Sequence, residues 1–72
     1  MNVIAQTQEM KDFCYATDKN ANVVLSGLLH YQAKYLNKFK NALDDHDIEA
    51  ATDYDELVQQ AKKLYNEKVK EH

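Results

Sequence analysis

Across residues 23–43 the apolar positions Val24, Leu25, Leu28, Leu29, Tyr31, Tyr35, Leu36, Phe39, Ala42 and Leu43 recur every three or four residues. That spacing predicts an amphipathic helix with a wide apolar face over about residues 20–43. The same period runs through Ile48, Ala51, Tyr54, Leu57, Val58, Ala61, Leu64, Tyr65 and Val69, with Lys62, Lys63, Lys68 and Lys70 on the remaining faces. It predicts a second long helix over about residues 47–70. The start of that helix has two readings, because Thr52 with Asp55, and Asp53 with Glu56, both have the spacing of a capping box. Either the helix begins near Asp47, or a short turn at 47–51 precedes a helix beginning at Asp53.

A thinner pattern, Val3, Ile4, Met10, Phe13 and Cys14, predicts a shorter N-terminal helix over about residues 3–16, with a polar gap at 6–9. The polar cluster at 17–22 follows. In it Thr17, Asp18, Asn20 and Asn22 can each accept bonds from the free amides of a helix start. The expected architecture is all-α, one domain over residues 1–72. A long antiparallel hairpin pairs 20–43 with 47–70, and the N-terminal helix packs across it or is swapped into a partner. The result is a three-helix bundle or an intertwined dimer.

Composition supports this. The chain has no proline and one glycine, Gly27, so little interrupts a helix and little favours a sheet-and-turn fold. Seventy-two residues bury only roughly 60% of the surface that an unfolded chain of this size exposes, so the core is small and association is a common remedy. All nine basic residues are lysine. Without arginine the chain lacks the side chain suited to bidentate phosphate recognition, which disfavours direct nucleic-acid binding. The net charge of −3 points the same way. A lone cysteine, Cys14, allows no internal disulfide and fits a cytoplasmic setting, where it packs as a small apolar side chain. Residues 1–10 lack the apolar core of a secretory signal. No segment approaches the roughly 18 apolar residues of a membrane span.

Charge adds the most informative feature. Residues 44–56 hold seven carboxylates, Asp44, Asp45, Asp47, Glu49, Asp53, Asp55 and Glu56, and no lysine. Helix-end chemistry accounts for part of this. Lys38 and Lys40 fall near one helix C-terminus, the carboxylates from Asp47 onward near the next N-terminus, and Lys62 to Lys70 near its end. Each such charge complements a helix dipole at about 0.3–1 kcal/mol. Asp44 and Asp45 do not fit, since they face the negative end of the first long helix, where they either cap the turn or serve recognition.

A calcium loop is a sharper reading of the same residues. Asp45, Asp47, Glu49, Asp53 and Glu56 fall at positions 1, 3, 5, 9 and 12 of an EF-hand-like loop. Its sixth position requires glycine and here is Ala50, its eighth is Thr52 in place of a branched aliphatic residue, and residues 48–51 favour helix. Calcium binding is therefore the weakest of the readings, and no metal or other cofactor is expected.

Five tyrosines against two phenylalanines is a choice suited to half-buried sites. Tyr31 and Tyr35, one turn apart, and Tyr54 either border the core or anchor a partner. His30 has no second ligand at metal spacing, His46 sits between two aspartates in the expected turn, and His72, at the terminus, is expected to be disordered. Cys14 and His30 lack an orienting third group and a glycine-rich oxyanion site, so no catalytic residue is assigned and no enzyme activity is expected.

The expected function is a small protein-binding module or inhibitor. Its recognition surface is Asp44, Asp45, Asp47, Glu49, Asp53 and Asp55, with Tyr31, Tyr35 and Tyr54 as anchors. The partner is a basic protein, or a larger protein whose basic or nucleic-acid-binding site the acidic run occupies. Lysine-only basicity and small size suit an AT-rich bacterial, phage or mobile-element genome, an analogy from composition. The alternative is a structural homo-oligomer, a homodimer foremost, whose long helices pair across a symmetry axis.

Overall fold

The computed structural model describes residues 2–71. Within one chain, α1 (Val3–Cys14), α2 (Ala21–Asp44) and α3 (Ile48–Lys70) form an all-α three-helix bundle of 40 × 18 × 16 Å, with no strand among the described residues. α2 and α3 make the hairpin, and α1 packs against both, chiefly α3.

Each helix is opened by one side chain that accepts an amide three residues on. Asn2 takes the amide of Ala5 at 3.1 Å, Asn20 that of Val23 at 2.9 Å and Asp47 that of Ala50 at 3.1 Å. Of the four candidates in the polar cluster, Asn20 is the cap. Its extended backbone, φ −80 and ψ 166, aims the side chain at the first turn, whereas Asn22 already lies inside the helix. α3 is continuous from Ile48, because the Thr52 hydroxyl donates to the Ile48 carbonyl at 2.9 Å and so works inside a helix rather than capping one. The reading with a break before Asp53 is thereby corrected. α1 ends at Cys14, two residues short of the expected 16.

The hairpin turn is three residues long. Asp45 closes α2, His46 takes a left-handed φ of 57 and Asp47 starts α3. The His46 amide donates to the Leu43 carbonyl at 3.0 Å and the Asp47 amide to that of Ala42 at 2.9 Å. This is a Schellman closure, in which glycine usually holds the left-handed position.

The core is Met10, Cys14, Val24, Leu28, Tyr35, Leu57, Val58, Ala61 and Leu64, with Val3, Phe13, Tyr31, Tyr54 and Tyr65 packed around it. Among the described residues no polar or charged side chain is buried. α1 contributes Met10 and Cys14, both essentially fully buried, and burial of a side chain of methionine's size stabilises by about 1.5–3 kcal/mol. Burial also pushes the Cys14 thiol above its ordinary value, Lys68 opposing and Glu71 and Glu67 reinforcing, so it stays a packed thiol. Ile4 departs from the expected stripe. It is 84% exposed, one residue off the line of Val3, Met10 and Cys14 and therefore rotated about 100° away from the core.

Gly27 has a specific use. The Phe13 ring lies where its Cβ would be, 2.3 and 2.4 Å from two ring carbons. Phe13 then meets Tyr31 edge-on at 6.0 Å, and Tyr31 and Tyr35 stack at 6.1 Å. The Tyr31 hydroxyl donates to Glu9 Oε1 at 3.3 Å, tying α1 to α2. No described helix is long and apolar enough to cross a membrane.

Candidate functional site

The acidic run occupies the end of the bundle where α2 turns into α3. Asp44, Asp45, Asp47, Glu49, Asp55 and Glu56 are exposed and Asp53 is half-buried. Among the described residues the ion pairs are Lys19 with Asp18 and Lys68 with Glu71, so none reaches this run.

Helix-dipole complementation explains less of it than the sequence suggests. α2 extends to Asp44, which leaves Lys38 and Lys40 short of the last turn, and that turn carries no basic residue. Asp47 is used as the cap of α3 and Glu49 lies in its first turn, where a carboxylate meets the positive helix end. Asp53, Asp55 and Glu56 lie beyond the first turn, where the effect has faded. Asp44 and Asp45 sit at the negative end of α2 and gain nothing from it.

Two adjoining clefts mark this end. One, of about 240 Å³, is lined by Lys38, Asn41, Ala42, Asp45, Asp47, Ala50 and Tyr54. The other, of about 260 Å³, is lined by Asp47, Glu49, Ala50 and Asp53. Asp45 and Asp47 therefore share the first cleft with Tyr54, Glu49 and Asp53 share the second with Asp47, and Asp47 and Ala50 join the two. Asp44 and Asp55 line neither cleft. Glu56 likewise lines neither cleft, although its spacing of three and seven from Asp53 and Glu49 places it on the same edge of α3, a relation readable in the sequence. Lys38 was not among the expected site residues. Its ammonium lies 5.7 Å from the centre of the Tyr54 ring, across the hairpin, where no sequence spacing reports it.

The tyrosines divide. Tyr35 is 3% exposed and belongs to the core. Its place as an anchor is corrected: the ring fills the gap between α2 and α3 and stacks on Tyr54 at 6.3 Å. Tyr31 is half-buried and engaged by Glu9; burial first, then the Glu9 charge and hydrogen bond, push its hydroxyl pKa up. Burial followed by Glu9 and Tyr54 do the same for Tyr35. Tyr54, half-buried at the open end of this aromatic row, adjoins Asp45 and Asp47 in the first cleft.

The twelve-residue calcium loop does not form here. From Ile48 onward its residues are α-helix, which spreads alternate side chains around the axis rather than turning them onto one ion. Among the described residues no group of three or more His, Cys, Asp or Glu is disposed to hold a metal. His30 is exposed, and His72 lies outside the described residues. Comparison with protein-family models, curated proteins and solved structures finds no match for this chain.

Proposed function

We propose that this chain is a binding module, not an enzyme, whose α2–α3 turn docks a basic protein surface. The observation that carries the reading is the pair of clefts at one end of the bundle. One is lined by Asp45 and Asp47 with Tyr54 and Lys38, the other by Asp47, Glu49 and Asp53, and no ion pair among the described residues reaches these carboxylates. A lysine or arginine of the partner entering beside Tyr54 would meet Asp45 and Asp47 and could displace Lys38 from the ring. Asp44, Asp55 and Glu56 widen the negative field around the clefts, which speeds encounter more than it tightens the complex. A module of this kind suits inhibition in the cytoplasm, by covering a basic or nucleic-acid-binding site of a larger protein.

The test is affinity capture from a host-cell lysate with the wild type and with a variant carrying Asp45→Asn, Asp47→Asn, Glu49→Gln and Asp53→Asn. Asparagine still caps α3 at position 47, and circular dichroism checks that both chains fold before capture. The expected result is a specific protein retained by the wild type, lost by the variant, and weakened as salt shortens the screening length from about 10 Å at 0.1 M. Equal capture by both chains, or affinity flat with salt, would refute the reading.

A further inference from the structure

α2 carries two apolar stripes, and the bundle uses only one. Val24, Leu28, Tyr35 and Ala42 are buried, while the stripe one residue further on, Leu25, Leu29, Gln32, Leu36, Phe39 and Leu43, faces away from α1. Leu29, Leu36 and Leu43 are 49%, 42% and 43% exposed, and Leu25, Gln32 and Phe39 are half-buried. The spacing is the alternating four and three of a coiled-coil seam, sustained without a carboxylate from residue 25 to 43.

We propose that this seam binds a second copy of the chain, α2 against α2, antiparallel about a two-fold axis at position 34. Reversal about that position pairs Leu25 with Leu43, Leu29 with Phe39 and Gln32 with Leu36, so the stripe is its own complement, as an isologous interface requires. The seam is about 27 Å long, running almost the whole length of α2, and a specific interface needs on the order of 1,000 Å² in total.

Charge selects the orientation. A parallel pair would bring two copies of the seven-carboxylate turn together, whereas an antiparallel pair holds them apart by about the length of α2, roughly 36 Å. The first turn of α2 has no acidic residue and its last turn no basic one, so each helix end is complemented by the opposite end of its reversed copy. The second helix agrees. Tyr54 packs on Tyr35 and under Lys38, which sets Asp55 level with about residue 36 and Lys62 with about residue 29 along the bundle. Reversal about position 34 then sets Asp55 within about one turn, along the axis, of the level of the second copy's Lys62, twice over. The dimer presents the two acidic ends in opposite directions. This rests on the exposed stripe and not on the function proposed for those ends.

The experiment is sedimentation equilibrium from about 5 to about 500 μM, a range that reads micromolar association. The wild type is expected to rise from 8.4 kDa towards twice that mass. Leu29→Gln with Leu36→Gln should stay monomeric with an unchanged helical spectrum, since both leucines are already exposed. Asp55→Lys or Lys62→Asp alone should weaken the dimer several-fold, and the two together should restore it. Leu25→Cys mixed with Leu43→Cys should form a disulfide, and Leu43→Cys alone should not. A wild type that remains at 8.4 kDa throughout overturns the proposal and leaves the stripe to a foreign helix. A dimer untouched by the leucine pair, or self-linking of Leu43→Cys, overturns the seam or its orientation.

Discussion

Gly27→Ala tests whether α1 is seated where it is described, and it does so by the sign of the effect. Alanine in the middle of α2 should favour the helix by about 0.5–1 kcal/mol over glycine. Against this, the new Cβ would lie 2.3 and 2.4 Å from two Phe13 ring carbons, so the ring must retreat by roughly 1 Å to reach ordinary contact. It has little freedom to do so, held edge-on against Tyr31 at 6.0 Å and covered by the Lys19 ammonium at 5.6 Å. Overpacking of this kind costs about 1–3 kcal/mol, and swinging the ring into solvent forfeits a comparable part of its burial. The net expectation is a loss of about 0.5–2 kcal/mol, with each kcal/mol lowering Tm by about 4–8 °C in a domain of this size. Urea and thermal unfolding followed by circular dichroism read this directly. In a Phe13→Ala background the same substitution should turn stabilising by about 0.5–1 kcal/mol, a reversal that a double-mutant cycle isolates. If Gly27→Ala stabilises the wild type, α1 does not pack on α2 through Phe13, and the account of the bundle's first helix fails.

His46→Gly should stabilise by about 0.5–1 kcal/mol, as relief of the left-handed strain at φ 57 exceeds the added freedom of the unfolded chain; an unchanged or lower urea midpoint would contradict the closure described. Asn20→Ala should cost about 0.5–2 kcal/mol by leaving the Val23 amide without its 2.9 Å acceptor, and Asn20→Asp should recover most of it in the same assay. Met10→Ala should cost about 2–5 kcal/mol, since the side chain is fully buried between helices, and a loss under about 1 kcal/mol would show α1 to be loosely docked. Stability should fall in alkali. Cys14, Tyr31 and Tyr35 have folded pKa values above their ordinary 9.0, 10.0 and 10.0. The folded chain therefore keeps protons that the unfolded chain loses, and the stability present below pH 9 declines as pH rises from about 9 through the raised values. Tyr31→Phe should make that decline shallower in urea titrations at successive pH, and an unchanged slope would argue against the coupling to Glu9.

The local layer of this protein is legible in its sequence. The two long periods, the absence of proline, and the polar residues at 17–22 and 47 are sufficient for three helices and a hairpin, because a helix and its cap depend on residues within one or two turns. The acidic run is legible as composition, and the edge formed by Glu49, Asp53 and Glu56 follows from helical spacing alone. The fit of Asp47 to its cap was open to the same reasoning, but the left-handed backbone at His46 was not, since the side chain there offers no sign of the conformation that two tight helix ends impose on it.

Tertiary structure decided which apolar residues are inside. The pattern across 23–43 shows a wide apolar face, yet Leu28 and Tyr35 are buried while Leu29 and Leu36, one residue further on in each case, stand in the open. It also decided that Tyr35 is core while Tyr54 borders one of the acidic clefts, that Lys38 covers Tyr54, and that the one glycine lies under Phe13. The reason is geometric. A residue's direction about its own helix is set by a local period of 3.6. Whether that direction meets a neighbour is set by where the other helix axes lie, and those depend on side chains brought together from all three helices at once.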